Sequence, residues 1–267
     1  MSVRTILALC IVIHMASSAA AADKLVLTGS STVAPLAAEL GKRFELQHPG
    51  TRIDVQSGGS SRGVQDARSG VADVGMVSRA LKADEADLQG FVLARDGIAV
   101  IVHARNPIQS LTDAQIVAIY TGQLRDWHDV GGLRAPITVI NKAQGRSTLE
   151  LFLAYFKLDA PQIRASVVIG DNEQGIKTLV GNPNAIGYVS VGSAEYAAAH
   201  GQPIKLLPLK GIAATTENIT NGRFPLARPL LLVTRGEATG MARTFIDFAR
   251  RPANHDLIRE FSFVPAP

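Results

Sequence analysis

Residues 24–47 contain the pattern that decides the fold, and they read KLVLTGSSTVAPLAAELGKRFELQ. Residues 24–28 are typical of a short β-strand. Over residues 33–47, Leu36, Leu40 and Phe44 recur every four positions, which places an apolar stripe along one face of a helix. The stretch therefore predicts a strand, a loop rich in hydroxyl groups and an amphipathic helix, in that order.

The same alternation continues along the chain. Strands are predicted over residues 52–55, 72–77, 97–103, 137–140, 166–169, 185–191 and 230–233, and helices over residues 62–69, 83–88, 113–120, 148–156, 174–180, 241–250 and 255–260. Strands that alternate with helices are typical of parallel sheets covered by helices. The chain is therefore predicted to be an α/β protein with mainly parallel sheets.

A division into two lobes is indicated where the apolar run 97–103 is followed by Asn106 and Pro107, because the proline interrupts the run. We expect residues 23–104 to form the first part of lobe one and residues 105–225 to form lobe two. The simplest arrangement returns residues 226–267 to lobe one. About 245 residues after a leader suit two ordinary domains.

The first 22 residues have the pattern of a secretory signal peptide. Arg4 gives a positive start, residues 6–15 are apolar, and the chain then reaches Ala20-Ala21-Ala22, a small-residue cleavage pattern. A membrane anchor is the alternative, but the apolar run is roughly half of the about 20 residues that span a bilayer. We expect cleavage near Ala22 and a periplasmic protein. Its only cysteine, Cys10, lies in this leader, so no disulfide is expected after cleavage.

Three loops between a predicted strand and a predicted helix contain groups that can hold an anion. They cover residues 28–33, 57–63 and 141–150, and they are called here the first, second and third loop. The start of a helix presents unpaired N–H groups and the positive end of the helix dipole. Ligands of open α/β sheets bind beyond the carboxyl ends of strands, so the loops are expected to meet at one cleft. The candidate ligands are Ser31, Thr32, Val33, Ser60, Ser61, Lys142, Gly145, Arg146, Ser147 and Thr148.

Each loop also has an ordinary structural explanation. A serine or threonine of the first two loops could simply cap a helix or fill a solvated turn. In the third loop, Ser147 and Glu150 have the spacing of a capping box. That explanation leaves Lys142 and Arg146 unexplained, and two cations beside a helix start favour charge-assisted hydrogen bonds to an anion.

The chain resembles the phosphate-binding protein family of ABC-type phosphate importers over nearly all of the sequence after the leader. The resemblance rests on the segments LTGSST (27–32), GSS (59–61), ADVGMVSR (72–79), DGIAV (96–100), NP (106–107), YTG (120–122), DW (126–127), VGG (130–132) and NAIGY (184–188). It implies a two-lobed periplasmic binding protein fold (type II). Each lobe would be a mainly parallel sheet flanked by helices, with the ligand in the cleft between the lobes.

The resemblance also implies which residues surround the ligand, inorganic phosphate. These residues are Thr32, the backbone of Val33, Ser60, residues 142–148, Ser78 and Arg79. Arg79 stands where some members have an aspartate that accepts the proton of hydrogen phosphate, although other members have Ser-Arg. The third loop, Gly-Arg-Ser-Thr over residues 145–148, also departs from the usual Gly-Ser-Gly-Thr core. Without that carboxylate, sulfate, arsenate or another tetrahedral oxyanion remains an alternative ligand.

The function implied is extracytoplasmic binding of phosphate and delivery to ABC permease subunits in the inner membrane, driven by a cytoplasmic ATPase. A monomer is expected. A sensor or adhesion protein on the same fold is one alternative. A secreted hydrolase is another. Gly59-Ser60-Ser61-Arg62-Gly63 has the spacing Gly-x-Ser-x-Gly, but no histidine lies in the three loops and no His-Glu-x-x-His occurs. No catalytic residue, metal, cofactor or enzymatic activity is therefore predicted. Nucleic acid is not expected as a partner, because no basic run is interleaved with aromatic residues.

Overall fold

The computed structural model describes residues 23–266, so the predicted leader lies outside the described residues. The strands are β1 (Asp23–Gly29), β2 (Thr51–Ser57), β3 (Val74–Val77), β4 (Leu88–His103), β5 (Thr138–Lys142), β6 (Val167–Ile169), β7 (Ala185–Ser190), β8 (Ile204–Leu207), β9 (Ala227–Arg235) and β10 (Val264–Pro265). The α-helices are α1 (Ala34–Gln47), α2 (Ser60–Ser69), α3 (Asp113–Tyr120), α4 (Ser147–Phe156), α5 (Asn172–Val180), α6 (Val191–Ala199), α7 (Thr216–Thr220), α8 (Gly240–Ala249) and α9 (His255–Glu260).

The strands form two lobes that share β4. In lobe one the order is β2-β1-β3-β9-β4, with β10 also paired to β4. In lobe two, β4 pairs with β7 and β8, β7 pairs with β5, and β5 pairs with β6. The predicted α/β fold is confirmed. The sheets, however, are mixed and not mainly parallel, because β9 returns from lobe two and enters lobe one antiparallel to both β3 and β4.

The long strand β4 connects the lobes. Its first part, from Leu88 to Gly97, pairs with β9 in lobe one, and its second part pairs with β7 from Ile98 onward. The amide of Ile98 also donates to the carbonyl of Leu226, just before β9 begins (3.0 Å). The crossing thus lies inside β4, at the start of the apolar run 97–103 that precedes Asn106 and Pro107. The exact boundaries 23–104, 105–225 and 226–267 stay a prediction.

The helix predicted over residues 83–88 is also wrong. Only a single 3-10 turn forms at Ala83–Glu85, and β4 already begins at Leu88. The physical reason is Glu85, whose buried carboxylate accepts from the amide of Lys82 and pairs with Arg79. Because the inward-facing carboxylate accepts from the amide three residues earlier, the turn ends at Glu85, and β4 begins at Leu88.

Each lobe has its own apolar core. Leu27, Leu36 and Phe44 pack with residues of α8 and β9 in lobe one. Trp127 and Tyr188 belong to the core of lobe two. The indole N–H of Trp127 donates to the carbonyl of Asn184 (2.9 Å), so its polar atom is satisfied. Within residues 23–266, no helix has the combination of length and apolar character needed to cross a membrane.

Helix α2 lies very close to β1 and β3 because it contains Gly63. A Cβ atom at this position would stand 2.7 Å from the carbonyl oxygen of Met76 and 2.8 Å from that of Thr28. Both neighbours are backbone atoms of packed strands, so they have little freedom to move. The close contact fixes the start of α2, and with it the second loop, against the sheet.

We expect Gly63→Ala to lower the free energy of unfolding by about 1 to 3 kcal/mol, the usual cost of overpacking. Urea denaturation measures the change. Gly181→Ala is the matched control, since a Cβ there would meet nothing nearer than a carbonyl oxygen at 3.5 Å. The control should be neutral or stabilise by up to about 1 kcal/mol. Equal effects of the two substitutions would contradict the packing argument.

Candidate functional site

The second and third loops meet across the cleft. The amide of Ser61, in lobe one, donates to the carbonyl of Gly145, in lobe two (3.3 Å). Gly59 has a φ of +99°, and a Cβ on it would stand 2.6 Å from that carbonyl oxygen. Glycine is therefore required at this position both by its backbone conformation and by the approach of the opposite lobe. The two lobes are in direct contact at the predicted site.

Arg228, which the sequence analysis missed, lies at the centre of the site. Its Nη1 donates to Thr148 Oγ1 (3.0 Å) and to Ser78 Oγ (3.3 Å), and its Nη2 donates to Thr32 Oγ1 (3.3 Å). Thr32 and Ser78 belong to lobe one, and Thr148 belongs to lobe two. One buried guanidinium, 3% exposed, therefore gathers hydroxyl groups from both lobes.

Asp96 holds Arg228 in place. The two residues are directly opposite each other on β4 and β9. Asp96 Oδ2 accepts from Arg228 Nε (3.1 Å) and Nη2 (2.9 Å), and its Oδ1 accepts from the amide of Gly192 (3.2 Å). Both side chains are almost fully buried. The carboxylate thus neutralises a charge that would be costly to bury alone, and it fixes which guanidinium nitrogens face the hydroxyls.

Two further predicted ligands, Ser60 and Ser147, lie in the same buried region. Ser60 Oγ accepts from the amide of Ser78 (3.1 Å) and lies 3.4 Å from its hydroxyl. Ser147 Oγ is buried and has no hydrogen-bond partner within residues 23–266. The alternative explanation of Ser147 and Glu150 as a capping box does not hold, because α4 has no side-chain cap and the Glu150 carboxylate turns toward lobe one. The Ser147 hydroxyl is left available for a ligand.

The first loop is capped by a residue that was not predicted. Ser30 Oγ accepts from the amides of Thr32 (3.2 Å) and Val33 (3.4 Å), so the backbone of Val33 is already engaged within its own loop. Ser31 lines an adjoining cavity of about 410 Å³ together with Tyr196 and others. Of the first loop, it is the side chain of Thr32 that joins the Arg228 cluster.

Lys142 is buried beside this cluster and is bridged to it by Asn172, a second residue that was missed. Lys142 Nζ donates to Asn172 Oδ1 (3.1 Å), and Asn172 Nδ2 donates to Thr32 Oγ1 (3.3 Å) in the opposite lobe. The pKa of Lys142 is lowered to about 7, and burial is the largest cause. Within this net shift, the carboxylate of Asp171 acts to raise the pKa, and the charges of Arg228 and Arg146 act to lower it. The amine can therefore gain or lose a proton near neutral pH.

Arg79 does not join the cluster. Its Nη1 and Nη2 donate to the two carboxylate oxygens of Glu85 (2.7 Å each), and its Nε donates to Glu150 Oε2 (3.1 Å). The hydroxyl of Ser61 likewise donates to Glu150 (3.2 Å). Two predicted ligands therefore face a carboxylate and not the hydroxyl groups around Arg228.

The remaining predicted ligands shape the wall of the third loop. Gly145 takes a positive φ of +77° and presents its carbonyl to Ser61. Arg146 has a buried Nε that makes no hydrogen bond within the described chain, and its Nη2 lies beside Gly170. No group of histidine, cysteine, aspartate or glutamate residues within residues 23–266 is arranged to hold a metal ion.

The sequence and the fold of this chain are similar to those of known proteins. A family model described as a PBP superfamily domain matches residues 15–252. A Bacillus subtilis protein named phosphate-binding protein PstS is 25% identical over 92% of this chain and 81% of its own length. A Clostridium perfringens structure, described as a phosphate ABC transporter substrate-binding protein with bound phosphate, is 30% identical with a TM-score of 0.84, covering 92% of this chain and all of that one. An ABC-type phosphate transport receptor from Vibrio cholerae is 29% identical with a TM-score of 0.75, over 91% of this chain and 100% of its own.

Asp96→Asn should leave the buried guanidinium of Arg228 without a countercharge. We expect the free energy of unfolding to fall by about 3 to 5 kcal/mol, as for other buried ion pairs that lose one partner. An oxyanion bound beside Arg228 supplies the missing negative charge, so saturating phosphate should restore part of the loss. Urea denaturation with and without phosphate measures both effects.

Asp54→Asn is the control for this variant. Asp54 pairs with Lys24 at 2.9 Å, but both side chains are substantially exposed. Its removal should cost at most about 1 kcal/mol and should respond to phosphate as the unchanged protein does. A similar loss in both variants would mean that Asp96 has no special role in holding Arg228.

Proposed function

This chain belongs to the PBP superfamily as a PstS-like member, and we propose that it binds inorganic phosphate between its lobes and delivers it to an ABC-type membrane importer. The observation that carries the proposal is the buried Arg228, whose guanidinium contacts hydroxyl groups of Thr32, Ser78 and Thr148 from both lobes. A guanidinium surrounded by hydroxyl donors suits a compact tetrahedral oxyanion. The named relatives are described as phosphate-binding proteins or phosphate transport receptors.

The chemistry of the site accounts for phosphate even though no aspartate follows Ser78. Hydrogen phosphate needs at least one acceptor for its proton. Serine and threonine hydroxyls can donate or accept, so a hydroxyl of the cluster can accept this hydrogen bond. The buried carboxylate of Asp96 is already occupied by Arg228 and the amide of Gly192. We therefore propose that a hydroxyl of the cluster accepts the proton of hydrogen phosphate.

The proposed role is that of a receptor without catalysis. Contacts from both lobes to one ligand favour the closed arrangement, which a permease would recognise. The N-terminal sequence pattern supports export and removal of the leader near Ala22, which would place the protein in the periplasm. We further propose that it acts as a monomer with permease subunits of the inner membrane and a cytoplasmic ATPase.

Isothermal titration calorimetry of the protein, stripped of bound anion, against phosphate and then sulfate tests the proposal. Tight phosphate binding with weak sulfate binding is expected. Equal or stronger sulfate binding would keep the oxyanion site but assign it a different ligand. Binding of neither anion would overturn the proposed function.

Within the same experiment, Thr148→Val should weaken phosphate binding by about 1.5 to 3 kcal/mol, the value of a hydrogen bond to a charged group. Thr234→Val is the matched control, because Thr234 is equally buried but its hydroxyl donates to the carbonyl of Gly236, far from the cleft. The control should bind phosphate as the unchanged protein does. An unaltered affinity of Thr148→Val would remove Thr148 from the site.

The lowered pKa of Lys142 predicts uptake of protons on binding. The free protein loses this charge as the pH rises through about 7, whereas a bound anion favours the ammonium form and raises its pKa. Between about pH 7 and 8, phosphate binding should therefore take up more protons than in Lys142→Met. Calorimetry in two buffers of different ionisation enthalpy measures the difference. Lys177→Met, at an exposed lysine of α5, should behave as the unchanged protein; the same uptake in all three proteins would contradict the assignment.

A further inference from the structure

Glu150 makes contacts that connect the two lobes outside the ligand cluster. It lies in the first turn of α4, in lobe two, and its three partners all belong to lobe one. Glu150 Oε2 accepts from Arg79 Nε (3.1 Å) and from Lys82 Nζ (2.8 Å), and Oε1 accepts from Ser61 Oγ (3.2 Å). These four residues are called here the inter-lobe latch.

Arg79 is held ready for this contact within lobe one. Glu85 binds the two terminal nitrogens of its guanidinium at 2.7 Å each, and both side chains are almost fully buried. The planar guanidinium is thereby fixed with Nε directed at Glu150. Because Arg79 is already ordered, closing the latch costs little additional side-chain entropy in lobe one.

The position of Glu150 on α4 links the latch to the ligand. Ser147 and Thr148 occupy the same first turn, and Thr148 Oγ1 accepts from Arg228 of lobe one (3.0 Å). The start of α4 is thus attached to lobe one at two places, through Arg228 and through the latch. A carboxylate in the first turn is also favoured by the helix dipole.

We propose that Glu150 is a positioning residue: by closing the latch with Arg79 and Lys82 it holds Ser147 and Thr148 against the bound oxyanion and slows release of the ligand. The proposal rests on the proposed function, because it concerns retention of phosphate at the same site. It also gives Arg79 a role, since this arginine serves lobe closure instead of contacting the anion. Contacts between lobes that exist only in the closed form stabilise that form.

The test is the rate of phosphate release. Glu150→Gln should release radiolabelled phosphate on the order of tenfold faster than the unchanged protein, the effect of losing one charge-assisted hydrogen bond. Rapid filtration after dilution into unlabelled phosphate measures the rate. The association rate should change by less than about twofold, because the latch closes after the ligand has entered. Raising the salt concentration should narrow the difference in release rate, since Glu150 and Lys82 are partly exposed and screened.

Two further variants separate the latch from a general change in stability. Glu173→Gln is the matched control, a carboxylate in the first turn of α5 whose ion pair with Lys177 stays within its own helix. Its release rate should be unchanged. Lys82→Gln should speed release less than Glu150→Gln does. Because the two residues share one contact, the double variant should release phosphate more slowly than the product of the two single fold-changes predicts.

The outcomes distinguish the two proposals. Faster release from Glu150→Gln than from Glu173→Gln, with an unchanged association rate, supports the latch. Equal release rates for Glu150→Gln and Glu173→Gln would overturn the latch and leave phosphate binding as the function. If the unchanged protein bound no phosphate in the calorimeter, the proposed function would fall, and with it the role of the latch in retaining phosphate.

Discussion

The ion pair between Asp96 and Arg228 is the interaction on which the rest of the site depends. It joins β4 to β9, the two strands that run side by side where the lobes meet. A buried arginine without a carboxylate would be unstable, and one with a more exposed partner would move. Held by Asp96, Arg228 is a fixed cation around which Thr32, Ser78 and Thr148 arrange their hydroxyls. The segments that contain these three hydroxyls are therefore all positioned by the same pair of strands.

The charges around the cleft have separate tasks. Arg228 provides a permanent cation whose charge is balanced by Asp96, and Lys142 provides an adjustable one because its pKa is about 7. Arg79, although close in sequence to Ser78, is neutralised by Glu85 and Glu150. The site thus avoids an excess of buried positive charge in the absence of ligand, which would oppose folding, while it keeps donors ready for an anion.

Much of the architecture followed from the sequence. The opening strand, loop and helix were predicted to within a few residues, as were α3, α4, α5, α8 and α9, because their apolar periodicity is local. Helix α6 and strand β8 were missed, since a run of alanines and a short strand give little periodic signal. The exact point of the crossing between lobes gave no sequence signal, because β4 passes from one sheet to the other without any break in its apolar pattern.

The residues of the site also differ in how far they could be predicted from the sequence. Loop residues with hydroxyls, such as Thr32, Ser60 and Thr148, could be predicted because a helix start after a strand is a local signal. Arg228 and Asp96 could not, since their pairing joins residues 132 positions apart and lies within strands. The direction of Arg79 depends on Glu85 and Glu150, which no motif connects to it. One signal was available for Arg228: it follows Phe224-Pro225, at the point where the chain was expected to return to lobe one.

The continuous course of β4 has a mechanical consequence. Because the backbone crosses between lobes inside a hydrogen-bonded strand, beside the start of β9, relative movement must come from bending and twisting of this two-stranded ribbon. A hydrogen-bonded ribbon of this kind resists twisting more than a flexible linker does. The stiffness of the few residues around Gly97 and Ile98 therefore limits how far the two lobes can move apart.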